Sequence, residues 1–173
     1  MPSRATGPRR IPDPGFAGDE GSGDPALREA LAVYAVDPGR QIDVLVALQG
    51  ARLLVPVVAV LGDLEVDAQG VAHDKTSDMA TALLTGRDGR QALLAFTGLD
   101  TLAAWRADAR PVPVTAGLAA RSALQEGAAA LVLDVAGPTT YVVEGEALDA
   151  LARGWTLVRT PEGYAWATLP DHA

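Results

Sequence analysis

The chain of 173 residues contains no cysteine. That excludes a disulfide framework, a cysteine nucleophile, thiolate metal sites and iron–sulfur clusters. Histidine is nearly missing too, with only His73 and His172, so a serine triad has almost no base to draw on. Lysine occurs once, at Lys75, against an abundance of arginine, alanine, glycine and proline, a coding bias that says little about chemistry. Positive charge is short: the net charge is −8 and the pI about 4.6, which argues against a phosphate backbone as partner. No long apolar run exists. The longest, 53–61, is interrupted by Pro56 and falls far below the roughly 20 residues a spanning helix needs. Residues 1–23 hold no apolar leader, so a cytoplasmic, membrane-free protein is expected.

What is present divides at about residue 24. Residues 1–24 are rich in Pro and Gly, and only Ile11 and Phe16 could bury much apolar area. They predict a flexible arm, because Gly raises the entropy cost of ordering and Pro removes backbone donors. Within it, Ile11, Pro12, Pro14 and Phe16 form an extended stretch with two apolar anchors, a candidate for contact with a partner or with the body.

Residues 25–173 predict one α/β or α+β domain, a mixed sheet flanked by helices. Asp24 and Pro25 open a first helix with Leu27, Leu31 and Tyr34 at helical spacing, stopped at 37–39. A second, about 40–49, places Ile42, Leu45, Val46 and Gln49 on one side, with Gly50 at a left-handed cap. Residues 52–61 read as a strand buried on both faces, bulged or at an edge beside Pro56. Strands at 79–84 and 92–97 flank an Asp88-Gly89 turn. Thr97 then caps a short helix through Trp105, with Asp100 at capping-box spacing. A marginal proline strand at 112–114 and a helix from Thr115 to Glu126 follow. Then come strands at 131–135 and 141–143, a helix at 146–153 and a hairpin of 155–158 with 164–167. Trp155 and Trp166, if opposite each other there, would expose an apolar patch.

The richest polar cluster is His73, Asp74, Lys75, Ser77 and Asp78. A pocket reading uses His73 as base, Lys75 as electrophile or anion clamp and Asp78 as orienter. A metal reading uses His73, Asp74 and Asp78, although one imidazole with two carboxylates is a poor ligand pattern. A solvated loop with Asp74 or Ser77 capping a turn explains the same residues. The glycines at 15, 18, 21 and 23 are not a phosphate cradle: no strand precedes them, and Asp19, Glu20 and Asp24 would repel phosphate. No serine sits in a Gly-x-Ser-x-Gly elbow.

Four stretches resemble the SseB (enhanced serine sensitivity) family, its N-terminal domain above all: IPDPGFAGDEG at 11–21, ARLLVPVV at 51–58, DKTSDMA at 74–80 with ALLAFT at 92–97, and GAAALVLDVAGP at 127–138. The form is similar to short single-domain versions from actinobacteria. The resemblance implies an α/β domain without an agreed catalytic residue set. Some relatives are linked to sulfurtransferase activity in trans, and a chain without cysteine cannot itself run a persulfide reaction. Longer relatives carry a second, C-terminal domain, which is not expected here. With no nucleophile, metal or cofactor signature, the expectation is a non-catalytic module without cofactor that binds a protein partner or a second copy of itself. The alternative is a small-ligand binder or enzyme with its site at 74–78.

Overall fold

In a computed structural model, the structure describes residues 16, 18–60, 65–66, 72–73 and 78–168, with backbone alone for 59–60, 65–66, 72–73 and 78–79. Helix α1 spans Pro25–Val36, with Pro25 in its first turn and the Asp24 carboxylate accepting from the Leu27 N–H at 3.0 Å. A 3-10 turn, Pro38–Arg40, leads into α2, Gln41–Gln49. The buried side of α2 is Val44 and Leu48; Ile42 and Leu45 are half-buried and Val46 is exposed. The expected stripe was thus rotated by part of a turn. Gly50 has φ −92°, an ordinary right-handed value, so its predicted left-handed role does not occur.

The strands are β1 Arg52–Val60, β2 Glu65–Val66, β3 Ala72–His73, β4 Asp78–Thr81, β5 Leu83–Thr85 and β6 Gln91–Ala95. Then come α3 Leu99–Trp105, β7 Arg110–Thr115, α4 Ala116–Gln125, β8 Ala130–Leu133, β9 Tyr141–Glu144, α5 Gly145–Ala152, β10 Thr156–Thr160 and β11 Gly163–Ala167. Antiparallel β4-β1-β7 forms one sheet and β5-β6-β8-β9 another, parallel only between β6 and β8. The two are joined where Leu54 and Phe96 exchange both backbone hydrogen bonds at 2.8 Å.

The predicted single strand at 79–84 breaks at Ala82, which donates to Pro56 O at 3.2 Å and accepts from Leu94 N at 3.1 Å. Pro56 sits at this handover, where the strand beside β1 changes, so its missing N–H costs no regular ladder bond. The proline strand expected as marginal is a full six-residue strand.

Leu53, Val55, Leu93, Ala95, Leu131, Leu133, Tyr141 and Val143 point to the inner face, where α1, α2, α4 and α5 cover them as the main core. The outer face carries a smaller cluster of Leu54, Leu94, Phe96 and Val132 under Leu102 and Trp105 of α3. Thr115 caps α4, its hydroxyl accepting from Leu118 N at 3.2 Å. In the last hairpin Trp166 lies opposite Leu157 and packs on the main core, while Trp155 precedes the strand beneath the Arg153 guanidinium. The conjectured Trp155–Trp166 patch is therefore not formed. Among the described residues no helix is long and apolar enough to cross a membrane.

Candidate functional site

Strands β6 and β8 run parallel and end side by side, and a buried polar residue stands just past each: Thr97 after β6 and Phe96, Asp134 directly after β8. Thr97 is 1% and Asp134 3% exposed. A buried carboxylate survives only with partners. Thr97 supplies both: its N–H donates to Asp134 Oδ1 at 2.9 Å and its hydroxyl to Oδ2 at 2.7 Å. Asp134 N–H meanwhile donates to Ala95 O at 3.0 Å, so the side chain takes over the pairing just where the β6–β8 ladder stops. Asp134 has φ 49°, a left-handed conformation unusual for a residue with a side chain. The turn that follows is tight. Gly137 N donates to Asp134 O at 2.8 Å, and a Cβ on Gly137 would come within 2.9 Å of the Asp134 Cβ.

Thr97 therefore does not cap α3 as expected; its hydroxyl is committed to Asp134, and Gly98 occupies the cap position. Thr101, one turn in, donates its hydroxyl proton to Gly98 O at 3.1 Å. Above this floor, Arg28 of α1 pairs with Asp100, and the guanidinium holds the Asp100 carboxyl below the usual carboxylate range. These groups, with Leu31, Pro138 and Thr139, line a cleft of about 180 Å³.

The end of the expected arm docks beside the start of α3. Gly21 O accepts from Leu99 N at 2.9 Å at the start of α3. Gly21 has φ +78°, and a Cβ there would collide with the Leu99 side chain, so only glycine fits. Arg52 ties the strap down: it pairs with Asp19 at 2.7 Å, donates to Ser22 O and donates to Thr97 O at 3.2 Å. Within the described residues, then, 18–24 is docked on the body.

The buried Asp134 carboxylate accepts two hydrogen bonds from Thr97, and the Thr97 hydroxyl lies beneath the surface. A ligand would meet Arg28, Asp100 and Thr139.

Of the residues singled out in the sequence, the structure describes His73, Asp78 and Phe16. His73 lies in β3, its backbone paired with Glu65 of β2, and Asp78 opens β4 opposite Val60. Asp74, Lys75 and Ser77 lie outside the described residues, as do Ile11, Pro12 and Pro14. Phe16 is half-buried, and its carbonyl accepts from Asp19 N at 3.0 Å. Sequence reasoning missed Thr97 with Asp134 as a pair. The signal was available as a single acid ending the apolar strand ALVLD at 130–134, followed by a Gly-Pro turn.

No match to the chain was found among curated proteins or among solved structures. The sequence profile of the SseB protein N-terminal domain matches residues 27–150, from the first turn of α1 into α5, and so takes in the sheet, the Thr97–Asp134 pair and every helix between. A match over well over half of the chain places it: the chain belongs to the SseB family.

Proposed function

We propose that this chain is a non-catalytic protein-binding module of the SseB family, working in the cytoplasm by contact and needing no cofactor. One observation carries the reading. On the outer face of the sheet, toward the rim away from α3, the cross-strand neighbours among the described residues are apolar: Leu84 opposite Ala92 and Val142 opposite Val132, which with Leu94 is buried under the α3 cluster. Leu84 and Val142 are exposed. Asp88, Arg90 and Glu144 frame the strip, with Arg90 bonded to Glu144 at 3.2 Å and to Asp88 at 2.6 Å. An apolar centre within a charged rim is the anatomy of an interface. Immobilised wild-type protein and the Leu84→Asp variant, offered the same native extract, test it. A defined protein retained by the wild type and at least tenfold less by a variant of equal thermal midpoint supports the reading. Equal retention, or none, overturns it.

A second reading is favoured by the left-handed Asp134 at the carboxyl ends of two parallel strands, a place where α/β sheets hold small molecules. It assigns the cleft over Thr97 to a small polar metabolite. A thermal-shift screen decides, since a ligand raises the midpoint by mass action and Arg28→Ala would abolish the rise.

A further inference from the structure

We infer that the free edge of β9 takes an extended peptide segment of alternating apolar and basic character as an added strand. The inference rests on the protein-binding reading and names its surface. Asp134 N–H donates toward β6, so by strand alternation Leu131 and Leu133 turn their amides toward β9, opposite Val143 and Tyr141. The amide and carbonyl of Val142 and the amide of Glu144 therefore point out of the sheet, and no strand among the described residues pairs with them, while the Glu144 carbonyl is taken up as the N-cap of α5. No proline or bulge blunts this edge. An added strand would set one side chain beside Val142 and, two residues on, another beside Glu144. The first site is apolar and the second acidic, its Glu144 carboxylate shared with Arg90 at 3.2 Å. The exposed face of α5, which continues from β9 after Gly145, adds Glu146 and Asp149 at one-turn spacing. With Glu144, Glu146 and Asp149 on or following this edge, a basic strand is attracted and the same acidic edge of a second copy is repelled.

The test is an NMR titration of the full chain with a capped eight-residue peptide carrying Val and Lys on one face and Thr on the other. The Val142 and Glu144 amides should shift and gain exchange protection. Replacing Lys by Glu in the peptide, or making Glu146→Lys with Asp149→Lys in the protein, should each weaken binding at least tenfold. The two changes together should restore it. N-methylation of alternate peptide amides should abolish it. Val142→Pro should do the same, and the charge-reversal pair keeps the test valid if that variant fails to fold. Several results would overturn the inference: no binding, equal binding of the Glu peptide, or shifts confined to other strands. So would a wild-type dimer dissociated by Val142→Lys, which assigns the edge to a second copy, or binding seen only after residues 1–15 are removed, which assigns it to the chain's own arm. Partner capture that depends on Leu84 while the peptide fails would sink this inference and leave the protein-binding reading standing.

Discussion

The two outermost strands of the joined sheet, β7 and β9, follow opposite rules. Among the described residues each pairs on one side only, β7 with β1 and β9 with β8. In β7 the amide of Leu54 points to Phe96, away from β7, so Pro113 opposite Leu54 and Pro111 opposite Pro56 occupy outward-facing positions. The N–H groups that proline lacks are those a further strand would need. In β9 the equivalent positions are Val142 and Glu144, and both keep their donors. The sheet is thus closed to growth on one side and open on the other. What separates the rims is the direction of the backbone donors. Apolar content does not, because both strands carry exposed valine, Val112 and Val142.

The largest way to break the comparison is to remove the platform on which β9 rests. Leu131 of β8 is fully buried on the inner face, opposite Val143. Leu131→Ala should cost about 2–5 kcal/mol by lost transfer energy and the cavity left behind. Val142→Ala on the rim should stay within about 0.5 kcal/mol. Urea denaturation of both variants checks the pair; equal losses would mean that the rim is not a rim. Next comes Asp134→Ala, which strands two donors of Thr97 in a buried site and should cost about 2–3 kcal/mol. Asp134→Gly should cost less, since glycine relieves the φ of 49°.

Smaller still is a pH effect seated in β9. Tyr141 packs edge-on to Tyr34, ring centroids 5.1 Å apart, and its hydroxyl donates to Gln41 O at 3.1 Å. Burial, helped by Tyr34, pushes its phenol up from about 10 to about 12. A group whose folded pKa is raised stabilises the fold fully below its unfolded pKa and loses that contribution as pH rises through the folded value. The wild type should therefore lose stability between about pH 10 and 12, by at most about 2 kcal/mol after solvent screening. Tyr141→Phe should flatten that slope, while starting lower by about 1 kcal/mol for the lost hydrogen bond. Thermal midpoints across this range decide, and parallel slopes would refute the assignment.

Local signals were legible in the sequence wherever one residue sets one bond. Asp24, Pro25 and Thr115 mark helix starts because capping is settled within a few residues. Signals that depend on a distant partner were not. Thr97 reads as a cap because its neighbours favour one, yet its hydroxyl is claimed by Asp134, 37 residues away. The rotation of α2 depends on which neighbours it meets, and its near-uniform hydrophobicity gives periodicity little to grip. The prolines of β7 make the strand read as marginal because the direction a missing N–H would point is a property of register, which no local pattern records. The cleft was invisible for the same reason, since its walls come from α1, α3 and two strand ends. Family membership was legible, because order and spacing of whole segments survive where single contacts cannot be foreseen.

The comparison can also be sharpened by making the two rims alike. Replacing Pro111 and Pro113 together by valine restores two outward donors to β7 and leaves its pairing with β1 untouched, since neither residue donates to that ladder. Fold stability should change by no more than about 1 kcal/mol, chiefly through the looser unfolded chain. The consequence should appear in association: an unblunted, β-branched edge next to exposed Val112 is a template for another strand. Sedimentation velocity of the double variant should show concentration-dependent self-association absent from the wild type, and Val112→Lys added to it should restore the monomer. A double variant that sediments like the wild type at every concentration would mean that the prolines do not guard the edge, and the contrast with β9 would lose its physical basis.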